Sequence, residues 1–409
     1  METIEPTNPE APLPGPPSPW ASTEMPSRRG GPPYHMTDMI RAEPGLARRL
    51  LATLARPGSP ADLLAGAIGA AATAGRPVLV VGCGTSEHGA LAFAEILRDA
   101  ARAAGLPWTL GAGGAATAVQ AFEASLEAAQ PGPGGLVIAI SHEGATWATN
   151  RALEAARAAG STTAVVTVSG ASPAAALADI VVATDELDQS WCHTVGYLSP
   201  ILVAAAVGAH LSDAELDRDA AATLLAAGLA TEAVAATDRL AAALADDGVR
   251  RLIVVASGAD RTAARELTLK VEEGVHLAAA MRDLETLLHG HLAGIDAQTG
   301  LVLVLTDRAG RGPRIARALG VLRAARELGL PTGAILADVA GEAVDPALTP
   351  AGRVSVPDAP TLPAPVASLL ASAVPLQLLT ERLAIARGVD PDPIRRDEPR
   401  YLAAAETAE

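Results

Sequence analysis

Unbroken apolar runs alternate along this chain with Ala/Leu-rich segments of helical period. At 76–105, "RPVLVVGCGTSEHGALAFAEILRDAARAAG" reads as a β-branched strand, a glycine turn and a helix ending near Gly105. The unit recurs as "GGLVIAISHEGATWATNRALEAARAAG" and, more weakly, as "TTAVVTVSGASPAAALADIVVAT". It restarts at "VRRLIVVASGADRTAARELTLKVEEG", followed by the strand-like runs "TGLVLVLTD", "TGAILADV" and "RVSVPD". Continuous rather than alternating apolar strands, interleaved with helices, predict parallel sheets covered on both faces. The expected fold is α/β, with two doubly wound lobes in tandem.

The expected boundaries follow from breaks in this pattern. Prolines crowd residues 1–34, which reads as a disordered tail because prolines prevent a continuous helix. A first lobe spans 35–211 with lead-in helices, in which Thr37 is a candidate cap and Pro44 is expected to split "MTDMIRAEPGLARRLLATL" in two. A helical linker at 212–245, a second lobe at 246–390 and a tail at 391–409 complete the chain.

Composition narrows the picture. Of the 409 residues 49% are hydrophobic but only 2% aromatic, so the cores must be built from small aliphatic side chains. A formal charge of −15 disfavours nucleic acid and anionic lipid as partners. Cys83 and Cys192 show neither metal-knuckle nor disulfide spacing, which suits a reducing cytoplasm. No signal peptide is read, and no segment is taken as the span of about 18 uncharged apolar residues that a membrane requires.

Ligands of open parallel sheets sit beyond the C-terminal strand ends, so those loops hold the candidate chemistry. In "GCGTSEHG", Gly84 turns the backbone while Thr85 and Ser86 open a helix, a pattern that makes an anion site or simply caps the helix. "SHEGAT" repeats it with Ser141, His142, Glu143 and Thr146. Glu266, Lys270 and Glu273 fall on one helix face, either as an exposed ion-pair ladder or as working groups. His289 and His291 follow in "ETLLHGHLAGID", where a His and a Glu can divide proton transfers; no further metal ligand accompanies them, and no metal or cofactor is expected. Trp191, His193 and Tyr197 are conspicuous among so few aromatic and imidazole rings, as core residues or as the wall of a sugar site.

These motifs resemble the sugar isomerase (SIS) family, and within it the isomerase half of glucosamine-6-phosphate synthases, over roughly residues 36–409. "CGTS" looks like the first phosphate loop and "SHEGAT" stands where the second, S-Q-S-G-E-T, would be. "ELTLKVEEGVHLAAAMRDLETLLHGHLAGID" follows the E-x-x-x-K-x-x-E and H-G-P-L-A-L-I-D pattern, and "VPLQLL" and "DEPRYLAAA" are similar to the family's C-terminal segments. The resemblance implies flavodoxin-like lobes, with phosphate held by Thr85, Ser86, Ser141 and Thr146 and a base at Glu273. It also implies a supporting Lys270 and a ring-opening His289 contributed by the second subunit of a homodimer. Trp191 and His193 stand where the family has a substrate-facing loop.

The departures are as informative. Met1 is followed by Glu2, so no amide-transfer half with an N-terminal cysteine is expected. Ala404 stands where the synthases carry a ring-opening lysine, and Glu143 where they carry a phosphate-binding serine. A carboxylate about 4 Å from a phosphate costs on the order of 4 kcal/mol at an effective dielectric of 20. A protonated His142 would partly offset that charge. The implied activity is isomerisation, deamination or deglycation of an amino sugar or glycated amine 6-phosphate by proton transfer between C1 and C2. The alternatives are a non-catalytic sugar-binding regulator and an enzyme on an unphosphorylated sugar.

Overall fold

The computed structural model describes residues 8–107, 116–126 and 130–408. Two lead-in helices, α1 (His35–Leu54) and α2 (Pro60–Thr73), precede the first lobe. That lobe runs β1 (Val78–Gly82), α3 (Thr85–Ala103), β2 (Ala116–Gln120), α4 (Ala121–Ala124), β3 (Leu136–Ile140), α5 (Trp147–Ala158), β4 (Thr162–Thr167), β5 (Ile180–Ala183) and α6 (Val195–Leu211). Helices α7 (Arg218–Ala227) and α8 (Thr231–Leu244) lead to the second lobe. There the order is β6 (Arg251–Ala256), α9 (Asp260–Lys270), β7 (Ala278–Asp283), α10 (Leu284–Leu288), β8 (Thr299–Leu305), α11 (Arg311–Glu327), β9 (Thr332–Ala337), α12 (Asp338–Ala343) and β10 (Gly352–Val356). The long α13 (Ala364–Ala386) and α14 (Pro399–Ala408) close the chain.

Both sheets are parallel and five-stranded, ordered β2-β1-β3-β4-β5 and β10-β9-β8-β6-β7. Counted from the first strand of each lobe the two orders are the same, as the repeated sequence pattern predicts. Strands β3 and β8 are buried along their whole length, which is why they read as continuous apolar runs. One large aliphatic core joins residues of both lobes, from Met36 on α1 to Ala384 on α13. Each fully buried Val or Leu in it contributes about 1.5–3 kcal/mol.

Several local expectations are corrected. Helix α1 runs unbroken through Pro44, because packing on α6, α7 and α13 compensates for one lost backbone hydrogen bond. Thr37 lies inside that helix rather than at its cap; its hydroxyl accepts the Tyr34 N–H at 3.1 Å and donates to the buried Glu381. The weak third repeat holds no helix, only a short turn at Ala175–Leu177 between β4 and β5. Helix α13 is long and apolar enough to cross a membrane by length and composition, and residues 359–380 carry no charge, but 83% of its apolar window is buried in the protein.

The Pro-rich segment forms no regular element over residues 8–34, as its prolines dictate, but it lies against the first lobe instead of hanging free. Leu13 N–H donates to Glu186 at 2.9 Å, Leu187 N–H to Pro14 O at 2.9 Å, and Arg28 pairs with Asp397. A segment without a core of its own is ordered by lending its backbone to polar groups of the folded lobe.

Candidate functional site

In the first sheet the chain steps from β1 outward to β2 and then back across to β3, which leaves a crevice at the C-terminal ends of β1 and β3. Two loops border it. A Cβ on Gly82 would lie 2.3 Å from the carbonyl oxygen of Ser86, so only glycine lets β1 fold this tightly into α3. Gly144 has φ +75° and a Cβ there would meet Ser172 Oγ at 2.3 Å; the loop it shapes leads into α5. The starts of α3 and α5 consequently face one cavity of about 830 Å³.

Gly84, Thr85, Ser86, His142, Glu143, Thr146, Trp191, His193 and Glu273 all line this cavity. Other candidate residues do not. Ser141 is buried, its N–H extends the β3–β4 ladder to Val166 O, and its hydroxyl has no partner among the described residues. Lys270 lies beneath the floor. His289 stands on the surface with its side chain 69% exposed, Nε2 being 2.6 Å from Glu285, which also accepts from Arg317. Tyr197 belongs to the core.

The floor is a buried charge network, not a solvated ladder. After α9 the backbone widens into a π-turn at Val271–Val275, which carries Glu273. Such turns re-aim side chains at functional sites. Lys270 Nζ donates to Glu273 Oε2 at 2.6 Å and to Thr85 Oγ1 at 2.8 Å, and lies 3.5 Å from Glu266 Oε1. Glu266 in turn lies 2.6 Å from His88 Nδ1 and accepts the Thr85 hydroxyl at 3.3 Å. Lys270 and Glu266 are fully buried, whereas the Glu273 side chain keeps 23% exposure into the cavity. Burial alone would lower the Lys270 pKa, but Glu273 and Glu266 override it and hold the ammonium above the ordinary lysine range. Burial likewise opposes charge on Glu266, and Lys270 and His88 override it to hold its carboxyl below the ordinary range.

A second cluster forms the opposite wall. Asp188 accepts the N–H groups of Thr194 and Val195 at 3.0 Å and of Gly196 at 2.7 Å, which fixes the start of α6, and it accepts His193 Nδ1–H at 3.1 Å. Burial opposes charge on Asp188, yet the hydrogen bond and charge of His193 and the Thr194 amide hold its carboxyl well below the ordinary range. His142 Nε2 accepts the backbone N–H of Asp188 at 3.0 Å, which requires a lone pair on that nitrogen. Burial lowers the pKa of His142 further, so its ring is neutral and does not offset the Glu143 charge as the sequence suggested. Atoms of His142, Asp188 and His193 lie within 4.8 Å of one another, close enough for a metal ion by distance, though the lone pairs of the first two are already engaged.

Three features were missed in the sequence. Arg396 lines the cavity with its guanidinium 5.1 Å from the Trp191 ring centre, supplying a cation that Lys270 cannot. Trp147, exposed at the start of α5, stacks with Phe122 at 6.5 Å on the cavity rim. Ser22 and Thr23 cover the cavity, and Thr23 N–H donates to Glu143 Oε2 at 3.2 Å. The adjacent arginines of "IRRDEP" and a rare tryptophan directly after "SHEGAT" were the available signals.

The floor network generates a stability prediction. Lys270→Met leaves two carboxylates facing each other in the core and is expected to cost roughly 3–5 kcal/mol in urea unfolding. The pairing is complete between 4.5 and 10.5, the ordinary glutamate and lysine values, and is lost as the pH rises through the higher folded value of Lys270 or falls through the lower folded value of Glu266. Adding Glu266→Gln is expected to recover part of the loss; a Lys270→Met cost under about 1 kcal/mol would contradict a buried pair.

No protein-family model matches the chain, and no curated protein matches it in sequence. Solved structures do. The C-terminal domain of glucosamine-fructose-6-phosphate aminotransferase from Francisella tularensis superimposes with a TM-score of 0.73 at 18% identity, over 90% of this chain and 99% of that one. Tagatose-6-phosphate ketose/aldose isomerase from Escherichia coli gives 0.68 at 17% identity, over 91% and 98%. Glucosamine-6-phosphate deaminase from Thermotoga maritima gives 0.59 at 15%, over 88% and 96%. The chain thus has the fold of the tandem sugar isomerase (SIS) proteins along nearly its whole length, with its cavity at the switch point of the first lobe.

Proposed function

We propose that the chain is an enzyme acting on an amino sugar or glycated amine 6-phosphate, by moving a proton between C1 and C2. The observation that carries this reading is Glu273, a carboxylate aimed into the cavity with one oxygen anchored by a fully buried ammonium. Its other oxygen is left for a substrate C–H, which is what a positioned general base requires. Phosphate would lie at the starts of α3 and α5, where Ser86 and Thr146 line the cavity and Arg396 adds charge. His289, exposed and away from its own cavity, would reach a site only across a contact between two copies, and the expected homodimer and cytoplasmic location belong to this same proposal.

Assays with glucosamine 6-phosphate, fructose 6-phosphate plus ammonia, and fructosamine 6-phosphates test the reading. At least one is expected to turn over, with Glu273→Gln slowing it by about 10²–10⁴-fold. Binding without turnover, unchanged by Glu273→Gln, is what a non-catalytic sugar-binding regulator would give, and it would reject the enzyme.

Glu143 on the cavity wall favours a second reading, an unphosphorylated sugar or amine that uses the carboxylate as hydrogen-bond acceptor. Calorimetry on Glu143→Ser separates the two. If phosphate sits beside residue 143, the variant binds phosphorylated ligands more tightly, by up to the roughly 4 kcal/mol of repulsion removed. Tighter binding of the neutral sugar by the unaltered protein, lost in the variant, would establish the second reading.

A further inference from the structure

Moving a proton between C1 and C2 leaves a second problem that Glu273 does not solve. As the C–H bond breaks, negative charge collects on the neighbouring carbonyl oxygen, and the adjacent hydroxyl must later lose its proton. The group that serves both oxygens has to donate and accept, and it has to sit in the same cavity. We propose that His193, oriented by the buried Asp188, is that group, and that it acts within its own chain.

The geometry has the form of an oriented acid–base. His193 lines the cavity together with Glu273. Its Nδ1 is held on Asp188, whose two oxygens are pinned by three backbone N–H groups at the start of α6, so the ring cannot turn without giving up its hydrogen bond to a fixed carboxylate. No protein group hydrogen-bonds its Nε2 among the described residues, which leaves that nitrogen for a ligand. The charged and titratable groups around it are Asp188 and His142 on the same wall, with the His142 ring 5.4 Å away, and Lys270 and Glu273 from the second lobe. Burial works against a proton on His193, but the Asp188 carboxylate prevails and raises its pKa above the ordinary histidine value.

The step balances without a further reagent. Glu273 takes the proton from carbon while His193 Nε2–H passes to the carbonyl oxygen, giving a neutral enediol. Neutral His193 then takes the proton of the adjacent hydroxyl as Glu273 returns its proton to the other carbon. Both side chains end as they began. Where nitrogen replaces one oxygen, the same Nε2 serves the amine. Asp188 is a positioning residue, since it acts only through the ring. A divalent cation held by His142, Asp188 and His193 is the competing use of the cluster, and it would need the N–H groups now bound to Asp188 and His142 to be displaced.

This inference rests on the proposed proton transfer, so the test reads the two separately. With the sugar phosphate that the unaltered protein turns over, His193→Gln is expected to lower kcat about 10²–10⁴-fold with KM changed less than about threefold. The fall of activity toward high pH, set by loss of the imidazolium, should disappear in the variant. His193→Ala should regain activity on addition of free imidazole, and circular dichroism should show both variants folded. Long-range proton–nitrogen spectra should show His193 titrating above about 6.5. A KM effect without a kcat effect, an unchanged pH profile, or no rescue in a folded variant would overturn the proposal. Loss of activity in EDTA with recovery on added zinc would overturn it in favour of a metal site. An unaltered protein inactive on every substrate would instead reject the enzyme reading itself.

Discussion

An ammonium sealed from water must be balanced by negative charge, because the effective cost of burying an unpaired ion is several kcal/mol. Lys270 is balanced by two carboxylates, and the rest of the site is arranged around that requirement. Glu266 is buried with it and is itself satisfied by His88 and Thr85 on α3. Glu273 leaves the helical path through the π-turn and reaches the cavity. One ion cluster therefore docks the second lobe on the first and fixes the proposed base against the opening of α3. The hydroxyl of Thr85 is committed to this network, so an anion in the cavity would have to be held by other lining groups.

The architecture was legible because both sheets are buried on two faces. Strands such as "LVIAI" and "TGLVLVL" have no polar side to interrupt them, and the glycine turns after β1 and β3 mark the crevice directly. Strand β7 was not legible, since "AAAMRD" lacks β-branched residues and depends on its pairing with β6. The Pro44 helix was misjudged for a related reason: tertiary burial outweighs the local cost of proline.

Within the site, residues tied to a turn were readable and residues brought in from afar were not. Gly84, Ser86, Glu143 and Thr146 follow from the strand–turn–helix unit itself. The roles of Lys270 and Glu266 depend on burial that no spacing reveals, since the same i, i+4 pattern serves an exposed helix equally well. Thr23 and Arg396 come from opposite ends of the chain and meet at one cavity, a juxtaposition created by the fold. Together they place a backbone donor on Glu143 and a cation beside Trp191.

The most direct test of the central claim is a crystal structure with a bound amino sugar 6-phosphate. The account predicts phosphate at the starts of α3 and α5, beside Ser86 and Thr146, with C1 and C2 within about 3–3.5 Å of the Glu273 carboxylate. A sugar phosphate bound elsewhere, or one whose C1 and C2 lie away from Glu273, would contradict it.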